Sequence, residues 1–118
     1  MTIPSYYIKN IGQQFAFANV AASQTDSVLV NAVPLRKIRV LGFTAVAGST
    51  ATSLTFNTKP SGSGTAISPL YANAANGGEV LAPNEIGWFE TNLGEGLSCT
   101  TGSGSTTGIL VIYQEVGT

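Results

Sequence analysis

Few side chains in this sequence have the types that chemistry requires. Six carboxylates are present, Asp26, Glu79, Glu85, Glu90, Glu95 and Glu115, and there is no histidine at all. Without an imidazole, the Ser-His and Cys-His nucleophile pairs and the commonest metal ligand drop out together. Two carboxyls a fixed distance apart would suffice for glycoside hydrolysis. Glu90 and Glu95 are the nearest pair in that sense, but they flank a Gly94-Glu95-Gly96 turn and read as solvated surface. The Gly-rich stretches at 62–64 and 102–108 lack the lysine and the following helix of a phosphate loop. Cys99, the sole cysteine, excludes an intrachain disulfide and reads as a small buried apolar side chain. Nothing in this set calls for a cofactor or a metal, and the chain is expected not to be an enzyme.

The remaining candidates bind rather than react. Trp88 beside Phe89 offers an aromatic surface of the kind that stacks on sugars, with Tyr71 and Tyr113 as further candidates, although alternation along a strand sends one of the two neighbours into the core. Arg36, Lys37 and Arg39 form the densest charge, too small for a nucleic-acid patch. They read as the solvated start of a strand or as one half of an ion pair with an acidic neighbour in an assembly. Net charge is −1, from five basic and six acidic residues, so no field favours nucleic acid or an anionic membrane as a partner.

The elements that must position these residues are strands. Val, Ile, Thr, Phe and Tyr come in short runs separated by turn residues at intervals near ten, which is the pattern of a sandwich or barrel. The expected architecture is all-β: a single-domain jelly-roll-like β-sandwich of about eight antiparallel strands over 13–118, preceded by an N-terminal arm over 1–12. In the arm, Tyr6, Tyr7 and Ile8 are candidate contacts with a neighbouring subunit. Phe15 and Phe17 alternate with Ala16 and Ala18, giving a strand with one bulky face and one small one. Strands are expected at 27–31, 36–48, 52–58, 79–82, 86–92, 97–101 and 109–116. Stretch 59–66 reads as a flexible loop, 67–75 as a loop with Leu70 and Tyr71 tucked under the sandwich, and Asn76-Gly77-Gly78 as a hairpin turn. Within 36–48 the apolar residues keep one parity through Ile38 and Val40, then occupy both, so half of that strand is expected to be covered on two sides.

The closing strand is apolar at every position from Ile109 to Tyr113. Continuous hydrophobicity calls for cover on both faces, and a chain of 118 residues has little to spare. A homo-oligomer follows as an expectation, with Trp88, Ile109, Val111 and Tyr113 as candidate contacts. Charged residues are only 9% of the chain, far below the ~25% of an average soluble protein. The exterior is therefore left to Ser, Thr, Asn, Gln and Gly, or to other chains. No apolar run approaches the ~20 residues of a membrane-spanning helix, and the start of the sequence lacks the features of a signal peptide, so assembly in a cytoplasm is expected.

The stretches GWFETNLGEGLSC (87–99) and GILVIYQEV (108–116), with KIRVLGFTA (37–45), resemble small virion proteins of tailed bacteriophages. The shared pattern is an aromatic strand, a Gly-Glu-Gly turn, a short strand ending near a cysteine or leucine, and a hydrophobic closing strand. The resemblance implies a jelly-roll subunit, usually a homotrimer, that sits on a capsid surface as a cement or decoration protein and contacts the major capsid protein. It carries no catalytic residues. A carbohydrate- or receptor-binding module of a fibre or tail is the alternative it leaves open.

Overall fold

The computed structural model describes residues 12–117. Among them lie ten strands and no helix: β1 (Gln14–Val20), β2 (Ser27–Val30), β3 (Lys37–Ala47), β4 (Thr52–Lys59), β5 (Thr65–Ala66), β6 (Tyr71–Asn73), β7 (Gly78–Leu81), β8 (Phe89–Glu90), β9 (Gly96–Thr101) and β10 (Thr107–Val116). They form two antiparallel sheets. The first runs β1-β10-β3-β7 with β8 also on β3, and the second runs β2-β9-β4-β5 with β6 also on β4.

The ten strands occupy eight places. β7 and β8 lie along the same side of β3, opposite Phe43–Val46 and Arg39–Val40 respectively, and together make one interrupted edge. β5 and β6 do the same beside β4, opposite Asn57–Thr58 and Thr52–Leu54. With each pair counted once, the sheets have the order 1-8-3-6 and 2-7-4-5, so that the chain passes between sheets at every connection except the one joining its fourth and fifth strands. This is the interleaving of a jelly roll, which satisfies two four-stranded layers with one core. The expected count of eight thus describes strand positions, and the extra strands are breaks in the two edges.

Both breaks have local causes. Between β5 and β6, Pro69 has no N–H for the ladder, and Ser68 Oγ substitutes by accepting from Phe56 N at 2.8 Å. The expected loop at 67–75 is therefore half strand: Tyr71 pairs with Leu54, while Leu70 is exposed instead of tucked under. Between β7 and β8, residues 82–88 bulge away from β3 and are held to it by Asn84 N on Leu41 O (3.1 Å) and Trp88 N on Val40 O (2.8 Å). The expected strand at 86–92 shrinks to Phe89–Glu90 for this reason. The Asn76-Gly77-Gly78 turn forms, with Asn76 at φ 58°, but it carries the chain from β6 to β7 in the other sheet and so is not a hairpin.

The change of parity in β3 is a β-bulge. Ile112 pairs with Gly42 and Tyr113 with Val40, which leaves Leu41 as an extra residue. Because of it, Ile38, Val40, Phe43, Ala45 and Ala47 all point inward although their spacing is not uniformly even. Leu41 and Gly42 are buried on the far side by the 82–88 segment, where a side chain at Gly42 would come within 2.8 Å of Pro83 N.

The core is built from the inner faces of both sheets: Ile38, Val40, Phe43, Ile109, Val111 and Tyr113 from one, and Leu54, Phe56, Leu97 and Cys99 from the other. Phe43 sits at its centre, edge-on to Phe56 (centroids 4.7 Å apart) and to Tyr71 (5.4 Å). Phe89 completes the cluster at 5.2 Å from Phe56. Thr107 Oγ1 is the one fully buried side-chain polar atom without a hydrogen-bond partner among the described residues. Thr107→Val keeps the shape and removes the orphaned hydroxyl, so thermal or urea unfolding should show a gain of about 1 kcal/mol.

Candidate functional site

The two exteriors of the sandwich differ in chemistry. The outer side of the β2-β9-β4 sheet presents Ser98, Thr100, Thr55 and Asn57, and it is organised by Asp26 from the turn before β2. Asp26 Oδ1 accepts from Asn57 Nδ2 (3.0 Å) and Ser98 Oγ (3.3 Å), Oδ2 accepts from Gly64 N (2.9 Å), and Asp26 N donates to Thr100 Oγ1 (3.3 Å). The 60–66 loop, read from composition as flexible, is tied down over this side. Asn57 is buried under it.

The outer side of the β1-β10-β3-β7 sheet is apolar. Strand register places Phe17 opposite Leu110 and Phe15 opposite Ile112, then Leu110 opposite Thr44, Gly108 opposite Val46, and Thr44 opposite Val80. Phe15 and Phe17 are 71% and 78% exposed, Val80 is 76% and Val46 52%. At the usual size of such side chains the exposed apolar surface is on the order of 600 Å², the upper end of what a monomer ordinarily shows. The bulky parity of β1 faces out because the inward places opposite Ala16 and Ala18 are already filled by Val111 and Ile109.

This corrects the expected contact set. Ile109, Val111 and Tyr113 are core residues, and the outward residues of the closing strand are Leu110 and Ile112. The two-sided hydrophobicity of that strand is real, but within the described chain its inner side is fully covered and its outer side only in part. Phe15 and Phe17, which alternation marked without saying which way they faced, are the surface residues that sequence reasoning passed over. Trp88 is half exposed and stands at the β8 edge, with its Nε1 donating to Ala82 O at 2.9 Å across the 82–88 loop. Tyr71 packs on Phe43 and Tyr113 lies in the core, so the three aromatics do not gather into one stacking platform. Tyr6, Tyr7 and Ile8 lie outside the described residues.

The lower end of the apolar sheet carries a charged clasp. Lys37 Nζ and Arg39 Nε hold the two oxygens of Glu90 at 3.1 and 3.0 Å, so two of the three residues of the basic cluster find an acidic partner inside the chain. Partial burial works to raise the Glu90 pKa, and the two hydrogen bonds and charges outweigh it, holding the carboxyl below its usual range. A depressed carboxyl stabilises the fold above its unfolded pKa, and that contribution is lost as pH falls through the folded value. Glu90→Gln should therefore cost a few tenths of a kcal/mol at neutral pH, the screened value for a partly exposed pair, and nothing once the pH lies below that folded value. Chemical denaturation of both proteins across the acid range measures this. Glu79 shifts the other way, raised mainly by burial against the pull of Asn73 Nδ2 at 3.2 Å, and so opposes folding near neutrality.

No catalytic arrangement emerges from the carboxylates. Glu90 is engaged by two cations, and Glu95 accepts from Thr58 Oγ1 at 2.7 Å. No group of three potential metal ligands exists among the described residues. A concavity of about 430 Å³ beside Val28, Val30 and Lys59 is an open groove, and Lys59 Nζ there is spent on the carbonyls of Pro60 and Gly62. No protein-family model matches the chain, and no curated protein matches it. Among solved structures, the crystal structure of PirA aligns over 87% of this chain and 91% of its own, at 8% identity and a TM-score of 0.34. A likeness that weak carries no argument about fold or function.

Proposed function

We propose that this chain is a non-enzymatic structural protein of a bacteriophage virion: a homotrimeric capsid cement or decoration protein that binds the major capsid protein on the head surface. The observation that carries the reading is the contrast between the two exteriors. One side carries a hydrogen-bonded network of Ser98, Asn57 and Thr100 around Asp26, with Val28 beside it, and the other presents Phe15, Phe17, Leu110, Val46 and Val80. A protein that acts by contact needs such a side and needs no reactive group. Three copies touching several capsid subunits at once gain strength from multivalency, because each further contact is intramolecular once the first has formed. The sequence resemblance in 37–45, 87–99 and 108–116 supplies the virion context.

The test is reconstitution. Heads lacking this protein should take it up from solution and then withstand a higher temperature before releasing their contents. Absence of co-sedimentation, together with unchanged heat resistance, overturns the proposal. The half-exposed Trp88 favours one competing reading, a glycan- or receptor-binding tip. Glycan binding that disappears in a folded Trp88→Ala protein would replace the capsid reading with that one.

A further inference from the structure

We infer that the apolar outer face of the β1-β10-β3-β7 sheet is covered by residues 1–11 of a neighbouring copy, so that the subunits are joined by exchanged N-terminal segments. The inference rests on the self-association in the reading above and not on the capsid. Three observations support it. The first is the face itself, whose positions Phe15, Phe17, Leu110, Val46 and Val80 are exposed and bear no charge. The second is the chemistry of the chain ahead of β1, MTIPSYYIKNI, in which Ile3, Tyr6, Tyr7, Ile8 and Ile11 are bulky and apolar and Lys9 alone is charged. Such a segment matches the face in kind.

The third observation is where this segment joins the sandwich. Gln14, the first residue of β1, pairs with Tyr113, and β10 continues for three more residues, Gln114 to Val116, beside Arg39 to Lys37. The chain therefore enters β1 from the lower end of the sheet, while Phe17, Val46 and Val80 lie toward the upper end. To fold back on its own sheet it would have to reverse direction and climb the ~10 Å that separates packed layers, using up about three of its residues. Continuing in the line of β1 requires neither and leaves the whole segment available to a neighbour. Eleven extended residues reach about 36 Å, more than twice the ~14 Å width of a four-stranded sheet. Exchange of identical elements is a low-cost route to closed assemblies.

Disulfide trapping with mixed variants tests this. Cys99 is fully buried, and burial pushes its thiol up to about 12, so it does not compete with introduced cysteines. Tyr7→Cys protein and differently tagged Leu110→Cys protein are unfolded together, refolded and oxidised. A covalent pair carrying both tags is expected, in at least tenfold excess over a Tyr7→Cys mixture with Thr100→Cys, which lies on the opposite exterior. A deletion of residues 1–11 should also convert the oligomer to monomer in light scattering while the circular dichroism stays that of a β-sandwich. The inference is overturned if only the double variant Tyr7→Cys/Leu110→Cys closes, within one chain, or if no pair forms. It is overturned equally if the deleted protein remains an oligomer. None of these outcomes involves the capsid, so failure of the exchange and failure of the capsid reading are separate results.

Discussion

Phe43→Ala is expected to destabilise the protein by about 3–5 kcal/mol, the usual cost of emptying a buried phenylalanine site. Phe43 is 2% exposed and meets Phe56 and Tyr71 of the opposite sheet edge-on, with Phe89 tilted at 6.3 Å. Removing the ring takes away burial and both edge-to-face contacts, and the β-bulge beside it restricts how far β3 can move in to close the gap. A domain of this size has a total stability of only about 5–15 kcal/mol, so the variant should approach unfolding at physiological temperature. Urea denaturation followed by circular dichroism reads the loss directly. A Phe43→Leu variant, which keeps most of the volume, should lose less than half as much. A loss below about 1 kcal/mol for the alanine variant would mean that the two sheets are not packed through this residue.

Asp26→Ala is the second large effect, at about 2–3 kcal/mol. The carboxylate accepts three hydrogen bonds, two of them from groups that have no access to water: Ser98 is fully buried and Asn57 nearly so. Without the acceptor Ser98 Oγ loses its partner and Asn57 Nδ2 keeps only its bond to Thr100 Oγ1 (2.9 Å), and an unsatisfied buried donor costs about 1–3 kcal/mol. Asp26 also sits at φ 53°, a left-handed conformation that Asp and Asn tolerate better than Ala. Asp26→Asn preserves that conformation and one acceptor oxygen, so it should recover about half of the loss. Amide hydrogen exchange gives an independent reading, because the Gly64 amide donates to the same carboxylate and should lose protection in both variants.

How far the fold could be read in advance differs from element to element. The long strand β4 announces itself through alternation, β3 and β10 announce themselves through runs of β-branched and other apolar residues, and the Gly94 turn marks a real boundary. Gly94 adopts φ 78° and donates its N–H to Arg36 O at 2.7 Å, which is why a glycine stands there. The short edge strands were not legible, because pairing to an existing neighbour defines β5 and β8, and two residues carry no period. The bulge at Leu41 was visible only as a disturbance of parity, since two apolar residues in succession look the same whether a strand is covered twice or kinked once. The orientation of β1 was undecidable in principle. Alternation identifies two faces, and which of them is inner depends on the volume that Ile109 and Val111, almost a hundred residues later, have already filled. The candidate surface was missed for that reason, and Asp26 was missed because its partners are drawn together only when both sheets exist.

The interruptions in the sheet edges also govern what happens when many copies are crowded together. An unbroken edge is a template on which a further strand can add, and then another without limit. Three of the four edges here are poor templates: β5–β6 and β7–β8 are broken by Pro69 and by the 82–88 loop, and β2 is four residues long. Only β1 offers a continuous run of seven. A building block with one competent edge can pair strands with a partner there but offers no second edge on which the sheet could go on growing, which works against fibres built by strand addition.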